Sequence, residues 1–304
     1  MRLNLTISAL AALGLLAAPA CAQELTGTLA KIKESGAITL GFRESSIPFS
    51  YYDNNQQVIG YAMDLCHKIV DAVKSNLKMD KIEIRLNPVT SATRIPLIAN
   101  GTVDLECGST TNNFEREKQV AFTITHFVTA NTFVSKRSSN LKTVDDLKGK
   151  TIVSTAGTTN IKQITEIGAQ KHLDLNILTA NDHAEAFLMV QTDRAAAFVM
   201  DDILLYSLVA SSKAPGDYVI SSEPLSVEPY GIMLRRDDPA FKRVVDAAMT
   251  AVYKSGEINS LYDKWFLNPI PPKGINLNVP MSAAFKKVVA NPTDTGDPAW
   301  YMQH

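Results

Sequence analysis

The stretch KIEIRLNPVTSATRIPLIANGTVDLEC, residues 81–107, decides the fold that this chain is expected to adopt. Isoleucine and leucine alternate with polar residues over 81–86, which predicts a strand with one apolar side. Residues 94–100 predict a short helix that ends at Gly101, and the apolar residues of 103–107 predict the next strand. A strand–helix–strand order implies parallel strands with helices packed on the sheet.

The same alternation extends toward the amino terminus. Residues 37–42 predict a strand, and residues 61–77 predict an amphipathic helix with apolar side chains four residues apart on one face. These apolar residues are Leu65, Ile69, Val73 and Leu77. The first unit therefore reads as β-α-β-α-β, and ligands of such sheets bind at the carboxyl ends of the strands.

A second unit of alternating strands and helices is expected from about residue 130. Its predicted elements are a short helix and turn at 144–150, strands at 151–155, 176–179 and 195–201, and helices from 159 to about 170 and over 182–191. After Pro224 the predicted elements are a strand at 230–235, helices at 239–254 and 257–266, and a surface tail with a short helix near 282–289.

Composition limits the classes of function. The chain has 304 residues, enough for about two domains, with 45% hydrophobic and 20% charged residues. Its net charge is −1, from 30 basic and 31 acidic side chains, so it lacks the basic surface of a nucleic-acid-binding protein. An anionic ligand would have to be captured by local arginines.

The first 22 residues have the pattern of an export signal. Arg2 precedes an apolar run at 9–18, and the segment closes with Ala20-Cys21-Ala22, which predicts cleavage after Ala22 and a periplasmic protein. One alternative is a retained membrane anchor, although the run is shorter than the ~20 residues that span a bilayer. Another is a lipoprotein in which Cys21 is lipidated.

Cleavage would leave two cysteines, Cys66 and Cys107. In an oxidising compartment two cysteines suggest one disulfide, which would contribute about 3–4 kcal/mol in the chain-entropy model. The alternative is two buried free thiols. No residues with metal-ligand spacing lie near either cysteine, so no metal site is expected.

The most informative candidate for a binding site is ECGSTTNNFERE, residues 106–117. A turn of small residues after a strand and before a helix offers backbone N–H groups to an anion, and Arg116 can grip a carboxylate through two parallel hydrogen bonds. Two further arginines, Arg43 in GFRESS and Arg94 in TSATRIP, lie in polar turns. Together they predict a pocket for a small dicarboxylate.

Longer strings carry a family resemblance. The segments GFRESSIPFSYYDNNQQVIGYAMDL (41–65), ECGSTTNNFEREKQVAFT (106–123) and VDDLKGKTIVSTAGTT (144–159) resemble exported solute-binding proteins for polar amino acids. With TSATRIP, AFVMDD (197–202) and NPIPPKGINLN (268–278), the resemblance narrows to the glutamate/aspartate-binding subgroup and covers nearly all of the mature chain.

The resemblance implies an α/β, two-lobed fold of type II with two crossover hinge strands. Lobe 1 would comprise 23–126 with 225–280, lobe 2 would comprise 127–224, and 281–304 would form a tail without an assigned role. Ligand would bind in the cleft and stabilise closure of the lobes. The implied partners are L-glutamate or L-aspartate and an inner-membrane ABC permease, with no cofactor, no metal and a monomeric chain.

Roles for individual residues in lobe 1 follow from the resemblance. Arg116 and the backbone N–H of Thr111 would hold the ligand's α-carboxylate. Arg43 and Arg94, with Ser91 nearby, would hold its side-chain carboxylate. Two arginines facing one acid explain a preference over glutamine, because a neutral amide would leave buried charge unpaired. Arg43 could instead form a local pair with Glu44, and Arg116 could be a surface residue of the FEREK segment.

The resemblance also assigns residues around the ligand's ammonium and in lobe 2. Asp201, together with Ser109, would pair with the ammonium, and Asp202 competes for this role although it could cap the next helix. Thr159 would contact the side-chain carboxylate from the start of a helix, where the alternative is ordinary capping. His183 would add a donor, although a lone histidine is commonly a surface residue.

Two other classes of function use binding proteins of this kind. A periplasmic enzyme on the same fold, similar to a cyclohexadienyl dehydratase, would need a general acid and base in the cleft, for which His183 or Glu106 could be nominated. A chemosensory binding protein would have to act in trans. The arginine-rich pocket favours a transport receptor without catalytic residues.

Overall fold

The structure is a computed structural model that describes residues 25–302. The expected signal segment, its cleavage site and Cys21 lie outside these residues. Among the helices of residues 25–302, none combines the length and the apolar character required to cross a lipid bilayer.

Helices and strands alternate along the described chain. The strands are β1 Ala37–Phe42, β2 Ser45–Ser46, β3 Ser50–Tyr52, β4 Val58–Ile59, β5 Glu83–Pro88, β6 Leu105–Glu106, β7 Val120–Phe122, β8 Phe127–Thr129, β9 Asn131–Lys136, β10 Thr151–Thr155, β11 Asn176–Ala180, β12 Ala197–Asp201, β13 Tyr218–Ile220, β14 Glu228–Tyr230 and β15 Met233–Arg235. The α-helices are α1 Gly27–Ser35, α2 Tyr61–Asn76, α3 Arg94–Ala99, α4 Phe114–Glu117, α5 Thr159–Gln170, α6 His183–Gln191, α7 Asp202–Ser211, α8 Pro239–Lys254, α9 Glu257–Tyr262, α10 Ala283–Ala290 and α11 Pro298–Met302. Short 3₁₀ or π turns occupy Arg137–Ser139, Val144–Leu147, Pro215–Asp217 and Asp263–Leu267.

Two five-stranded sheets organise the described chain. The first has the order β5-β1-β6-β15-β7, with β1 parallel to β5 and β6 and with β15 antiparallel to β6 and β7. The second has the order β11-β10-β12-β9-β13, with β10 parallel to β11 and β12. The predicted parallel β-α-β units are therefore confirmed in both halves.

Two short antiparallel strands, β8 and β14, connect the halves. β8 follows the first sheet and leads into β9 of the second, whereas β14 follows the second and leads back into β15 of the first. The chain therefore crosses between the two sheets twice. This is the connectivity expected of a two-lobed protein with crossover strands.

The prediction of a single strand over residues 230–235 is wrong. The chain changes sheets at Gly231, so that β14 ends at Tyr230 and β15 begins at Met233. A Cβ on Gly231 would lie 3.0 Å from the Phe122 ring, which explains why glycine occupies this change of direction.

The strand predicted over residues 81–86 is β5, which runs two residues later, over Glu83–Pro88. The alternation of apolar and polar residues in this strand does not mark a buried face. Ile84 is 37% exposed and Leu86 is 47% exposed. β5 pairs only with β1 and forms the edge of the first sheet, where helix packing does not cover these side chains.

The amphipathic helix is confirmed as α2, and its apolar face packs into the core. Leu65, Ile69 and Val73 are completely buried. On the same helix, Cys66 forms the predicted disulfide with Cys107, which directly follows β6. The disulfide thereby attaches α2 to the start of the loop that carries the candidate site.

The carboxyl-terminal segment packs behind the crossover strands. The ring of Phe285 in α10 lies 6.1 Å from that of Phe127 in β8, and Tyr301 Oη is 2.7 Å from Thr125 Oγ1. Thr125 also donates its backbone N–H to the carbonyl of Thr293 at 2.8 Å. The tail therefore packs against the crossover strand β8 and the residues just before it, and it does not simply lie on the surface as predicted.

Replacing both Cys66 and Cys107 by alanine should lower the free energy of unfolding by about 3–4 kcal/mol, because the bond closes a loop with a sequence separation of 41 residues. Urea unfolding of the variant and the oxidised protein measures the difference. A loss below about 1 kcal/mol would contradict the expected role of the bond.

Candidate functional site

A small, narrow cavity lies where loops at the carboxyl ends of both sheets meet. Its lining residues come from both halves of the chain, and they are Ser91, Arg94, Ser109, Thr111, Thr158, Thr159, Asn160, His183, Met200, Asp201 and Leu204. Seven of the nine predicted site residues are in this set. The other two, Arg43 and Arg116, are buried beside it and contact its lining.

Arg94 is the first residue of α3, which turns its side chain from the end of β5 toward the cavity. The side chain is 3% exposed, and Nη1 donates to the carbonyl of Ser109 at 3.2 Å and to the Thr110 hydroxyl. Nη1 lies 3.7 Å from Oε1 of Glu106. These contacts fix the guanidinium in one orientation.

Arg43 directly follows β1 and is 2% exposed. Its backbone N–H donates to Ser50 Oγ at 2.9 Å, and its Nη2 lies 3.4 Å from Nε2 of His183. Burial, and next the charge of Arg94, lower the pKa of Arg43 to about 10. The guanidinium is therefore charged at neutral pH, and within residues 25–302 it forms no ion pair with Glu44.

Arg116 bridges the two halves. Nη1 donates to the carbonyl of Thr111 at 2.8 Å, and Nη2 donates to the carbonyl of Gly157 at 3.3 Å. Asn113 caps the short helix α4 and accepts the backbone N–H of Arg116 at 2.9 Å. Burial, followed by the charge of Arg94, lowers the pKa of Arg116 to about 10. The side chain is buried and is not a surface residue.

His183 begins α6 and is 2% exposed. Burial, and then the charges of Arg43 and Arg94, hold its pKa well below the usual range, so the ring is neutral. A guanidinium only donates, so Nε2 must accept from Arg43, and Nδ1–H donates to Thr155 Oγ1 at 2.9 Å. His183 therefore orients Arg43, whereas the sequence had suggested a donor to the ligand.

Asp201 ends β12 and faces the cavity with a buried carboxylate. Oδ1 accepts from Asn160 Nδ2 at 2.7 Å, and Oδ2 accepts from the Tyr230 hydroxyl. Burial, and next the charge of Glu228, raise the pKa of Asp201 to about 7. A nearby cation would restore the ionised form.

Asp202 is oriented differently from Asp201. Its Oδ1 accepts from Thr129 Oγ1 of β8 and from the N–H of Ile203 at 2.6 Å. It is the first residue of α7 and does not line the cavity. The geometry therefore favours Asp201 as the carboxylate that faces a ligand.

Four buried hydrogen-bond donors around the cavity have no partner within residues 25–302. They are Arg43 Nη1, Arg94 Nε, Ser91 Oγ and Ser109 Oγ. Buried polar groups in native proteins are nearly always paired, because an unpaired one costs about 1–3 kcal/mol. Their concentration here indicates a site built to bind a polar, anionic molecule.

Thr159 lines the cavity, but its hydroxyl donates to Glu228 Oε2 at 2.9 Å. The hydroxyl hydrogen is therefore committed to a protein partner. Thr158 caps α5 by accepting from the N–H of Ile161 at 3.3 Å. Because the first N–H groups of a helix lack partners within it, an anion would be met here by backbone N–H.

Sequence reasoning missed three residues that support the cavity: Asn160, Glu228 and Tyr230. Asn160 holds Asp201, and its place in the GTTN turn could have indicated it. Glu228 also accepts from Gln163 Nε2 at 2.6 Å. Glu228 and Tyr230 lie in β14, a short strand without a recognisable pattern of apolar and polar residues.

Comparison with known proteins identifies the class. Residues 38–268 match the model of bacterial extracellular solute-binding proteins, family 3, and the chain belongs to this family. It has the two-lobed α/β fold of type II. It resembles a mutant of ArgBP from T. maritima with a TM-score of 0.70 and 28% identity, covering 78% of this chain and 98% of that one.

Relatives with sequence similarity narrow the comparison. The chain is 54% identical over 281 residues to the L-glutamate/L-aspartate-binding protein of Pseudomonas aeruginosa, covering 92% of this chain and 93% of that protein. It is 43% identical over 298 residues to the glutamate/aspartate import solute-binding protein of Escherichia coli, covering 97% and 99%. This chain is a binding protein and not an enzyme, as predicted.

Removing His183 should change how stability depends on pH. The neutral ring is protonated in the unfolded chain below pH about 6.5 but not in the folded protein, so folded-state stability falls as pH falls. The stability advantage of the native protein over His183→Gln should shrink by about 1.4 kcal/mol between about pH 7.5 and about pH 5.5. Urea unfolding measures it.

The exposed His67 offers a control for the removal of a histidine as such. A difference between native protein and His183→Gln that stays constant over this pH range would contradict a neutral, buried His183.

Proposed function

We propose that this protein is an exported receptor that binds L-glutamate or L-aspartate between its lobes and delivers it to an ABC-type permease of the inner membrane. The observation that carries the proposal is the set of unpaired donors on Arg43, Arg94, Ser91 and Ser109 around one small cavity. The printed names of two relatives, one 54% and one 43% identical, support the choice of ligand.

The lobes are proposed to divide the chain at its crossover strands. Lobe 1 would comprise 23–126 with 225–280 and lobe 2 would comprise 127–224, followed by the tail 281–304. The distribution of strands supports this division, because the second sheet is built entirely from strands between β9 and β13. We further propose that cleavage follows Ala22 and that the mature protein acts as a periplasmic monomer.

The α-carboxylate of the ligand is assigned to Arg116 and the backbone N–H of Thr111. Arg116 already donates to carbonyls of both halves, so a carboxylate here would compete with Gly157 for Nη2 at the junction of the lobes. Backbone N–H and guanidinium groups together give the charge-assisted hydrogen bonds that favour a carboxylate.

The side-chain carboxylate is assigned to the part of the cavity beside Arg43 and Arg94. Nη1 of Arg43 and Nε of Arg94 are the unpaired donors there, and Ser91 Oγ adds a hydroxyl. Thr159 would contribute its backbone N–H from the start of α5, and His183 would hold Arg43 in place. A ligand with a neutral amide would leave these cations without a counter-charge.

The ammonium is assigned to Asp201 and Ser109. Both line the cavity, and Ser109 Oγ has no partner among the described residues. A cation next to Asp201 favours its ionised form, so binding is linked to loss of a proton from this carboxyl.

Calorimetric titration of the mature protein with L-glutamate, L-aspartate and L-glutamine tests the function. The two acids should bind with at least about 100-fold higher affinity than glutamine, as expected when a charged group loses its buried partner. Failure of both acids to bind would overturn the proposal.

Truncating Arg94 tests the assignment of the side-chain carboxylate. Arg94→Ala should weaken binding of L-glutamate by about 100-fold and binding of L-glutamine by less than about tenfold, because only the acid loses a charge partner. The exposed Arg85, which pairs locally with Glu83 at 3.1 Å, provides the control Arg85→Ala. Equal losses for both ligands would refute the assignment.

Binding should release a proton below neutral pH. With the pKa of Asp201 at about 7 in the free protein, affinity for L-glutamate should rise about tenfold from about pH 6 to about pH 8. Titrations in buffers of different ionisation enthalpy should show nearly one proton released at the lower pH. An affinity independent of pH, without proton release, would remove Asp201 from the ammonium site.

A further inference from the structure

Glu106 is a buried carboxylate that the binding scheme above does not use. It ends β6 in the middle of the first sheet, where its Cα is paired with Gly41 of β1 and Met233 of β15. The residue is 0% exposed. A completely buried carboxylate is costly unless it is paired with positive charge or hydrogen-bond donors.

Glu106 contacts Thr110 and also Arg94, which is assigned to the side-chain carboxylate of the ligand. Oε2 accepts from the Thr110 hydroxyl at 2.6 Å, and the same hydroxyl accepts from Nη1 of Arg94. Oε1 lies 3.7 Å from Nη1 of Arg94 and has no hydrogen-bond partner among the described residues. Glu106 is therefore coupled to Arg94 both directly and through Thr110.

The absence of a side chain at Gly108 leaves room for the Glu106 carboxylate to lie close to Arg43 as well. A Cβ on Gly108 would lie 2.3 Å from Oε1 of Glu106 and 3.0 Å from Cγ of Arg43. The carboxylate and the stem of Arg43 therefore both pack against a position that has no side chain. The negative charge of Glu106 acts on Arg43 by raising its pKa, against the larger lowering by burial and by Arg94.

The charges at this end of the cavity can be counted. Arg43 and Arg94 supply two buried cations, and Glu106 supplies one completely buried anion. Asp182 of the second half also acts on Arg43, but it is only half-buried, so solvent screens part of its charge. The fully buried charges of Arg43, Arg94 and Glu106 therefore sum to +1, which one ligand carboxylate neutralises.

We propose that Glu106 is a specificity-determining residue, an internal counter-ion whose charge matches the pocket to amino acids with a singly negative side chain. This inference rests on the proposed function. Glu106 does not touch the ligand in this scheme and acts by setting the charge around Arg43 and Arg94. With Glu106 ionised, a glutamate or aspartate side chain in the pocket leaves no excess of buried positive charge around Arg43 and Arg94.

The variant Glu106→Gln tests the proposal. Its amide oxygen can still accept from Thr110, but the negative charge is lost. Relative to the native protein, the ratio of affinities for L-glutamate and L-glutamine should rise at least about tenfold, because a unit charge a few ångströms away no longer opposes the ligand carboxylate. Calorimetric titration of the full mature chain measures both affinities.

Two further variants separate charge from packing. Glu106→Asp keeps the charge and should restore the native ratio to within about threefold, even if both affinities fall. Asp104→Asn is the matched control, because Asp104 is a buried carboxylate two residues away that pairs with Lys31 at 2.8 Å. It should leave the ratio unchanged.

Gly108→Ala provides a second test if Glu106→Gln does not fold. The added methyl group would displace Oε1, so the carboxylate would screen the arginines less and the ratio should rise by a smaller factor. An unchanged or lower ratio in whichever of these two variants folds would overturn the proposal. Failure of the native protein to bind either acid would instead refute the proposed function, so the two failures are distinguishable.

Discussion

Burial of three guanidinium groups around one small cavity is the constraint on which the rest of this structure depends. Arg43, Arg94 and Arg116 are 2%, 3% and 7% exposed, so water cannot solvate their charges. Each buried cation requires anions or hydrogen-bond acceptors close by, because desolvation costs several kcal/mol per ion. Backbone carbonyls, a neutral histidine and Glu106 supply part of this compensation, and an acidic ligand would complete it.

The fold brings the compensating groups together from distant parts of the chain. The carboxyl ends of β1 and β6 carry Arg43 and Glu106, and the starts of α5 and α6 place Thr159 and His183 opposite them. The Cys66–Cys107 disulfide attaches α2 to the loop after β6. The tail packs on the crossover strands, so the geometry of the cavity rests on both sheets and on the region between them.

Much of this arrangement was predictable from local sequence patterns. β10 and α8 lie within the bounds predicted from the sequence, and seven of the nine site residues named from the sequence and the family resemblance line one cavity. The missed features depend on tertiary contacts. Ile84 and Leu86 alternate like core residues but lie on an edge strand, and no local pattern relates Glu228 or Tyr230 to residues of the second half.

The most direct test of this binding mode is a crystal structure of the mature protein with L-glutamate. The side-chain carboxylate should lie within about 3.2 Å of Nη1 of Arg43 and Nε of Arg94, the two guanidinium nitrogens that have no partner within residues 25–302. A bound glutamate that leaves both of these nitrogens unpaired, or that lies outside the cavity, would contradict it.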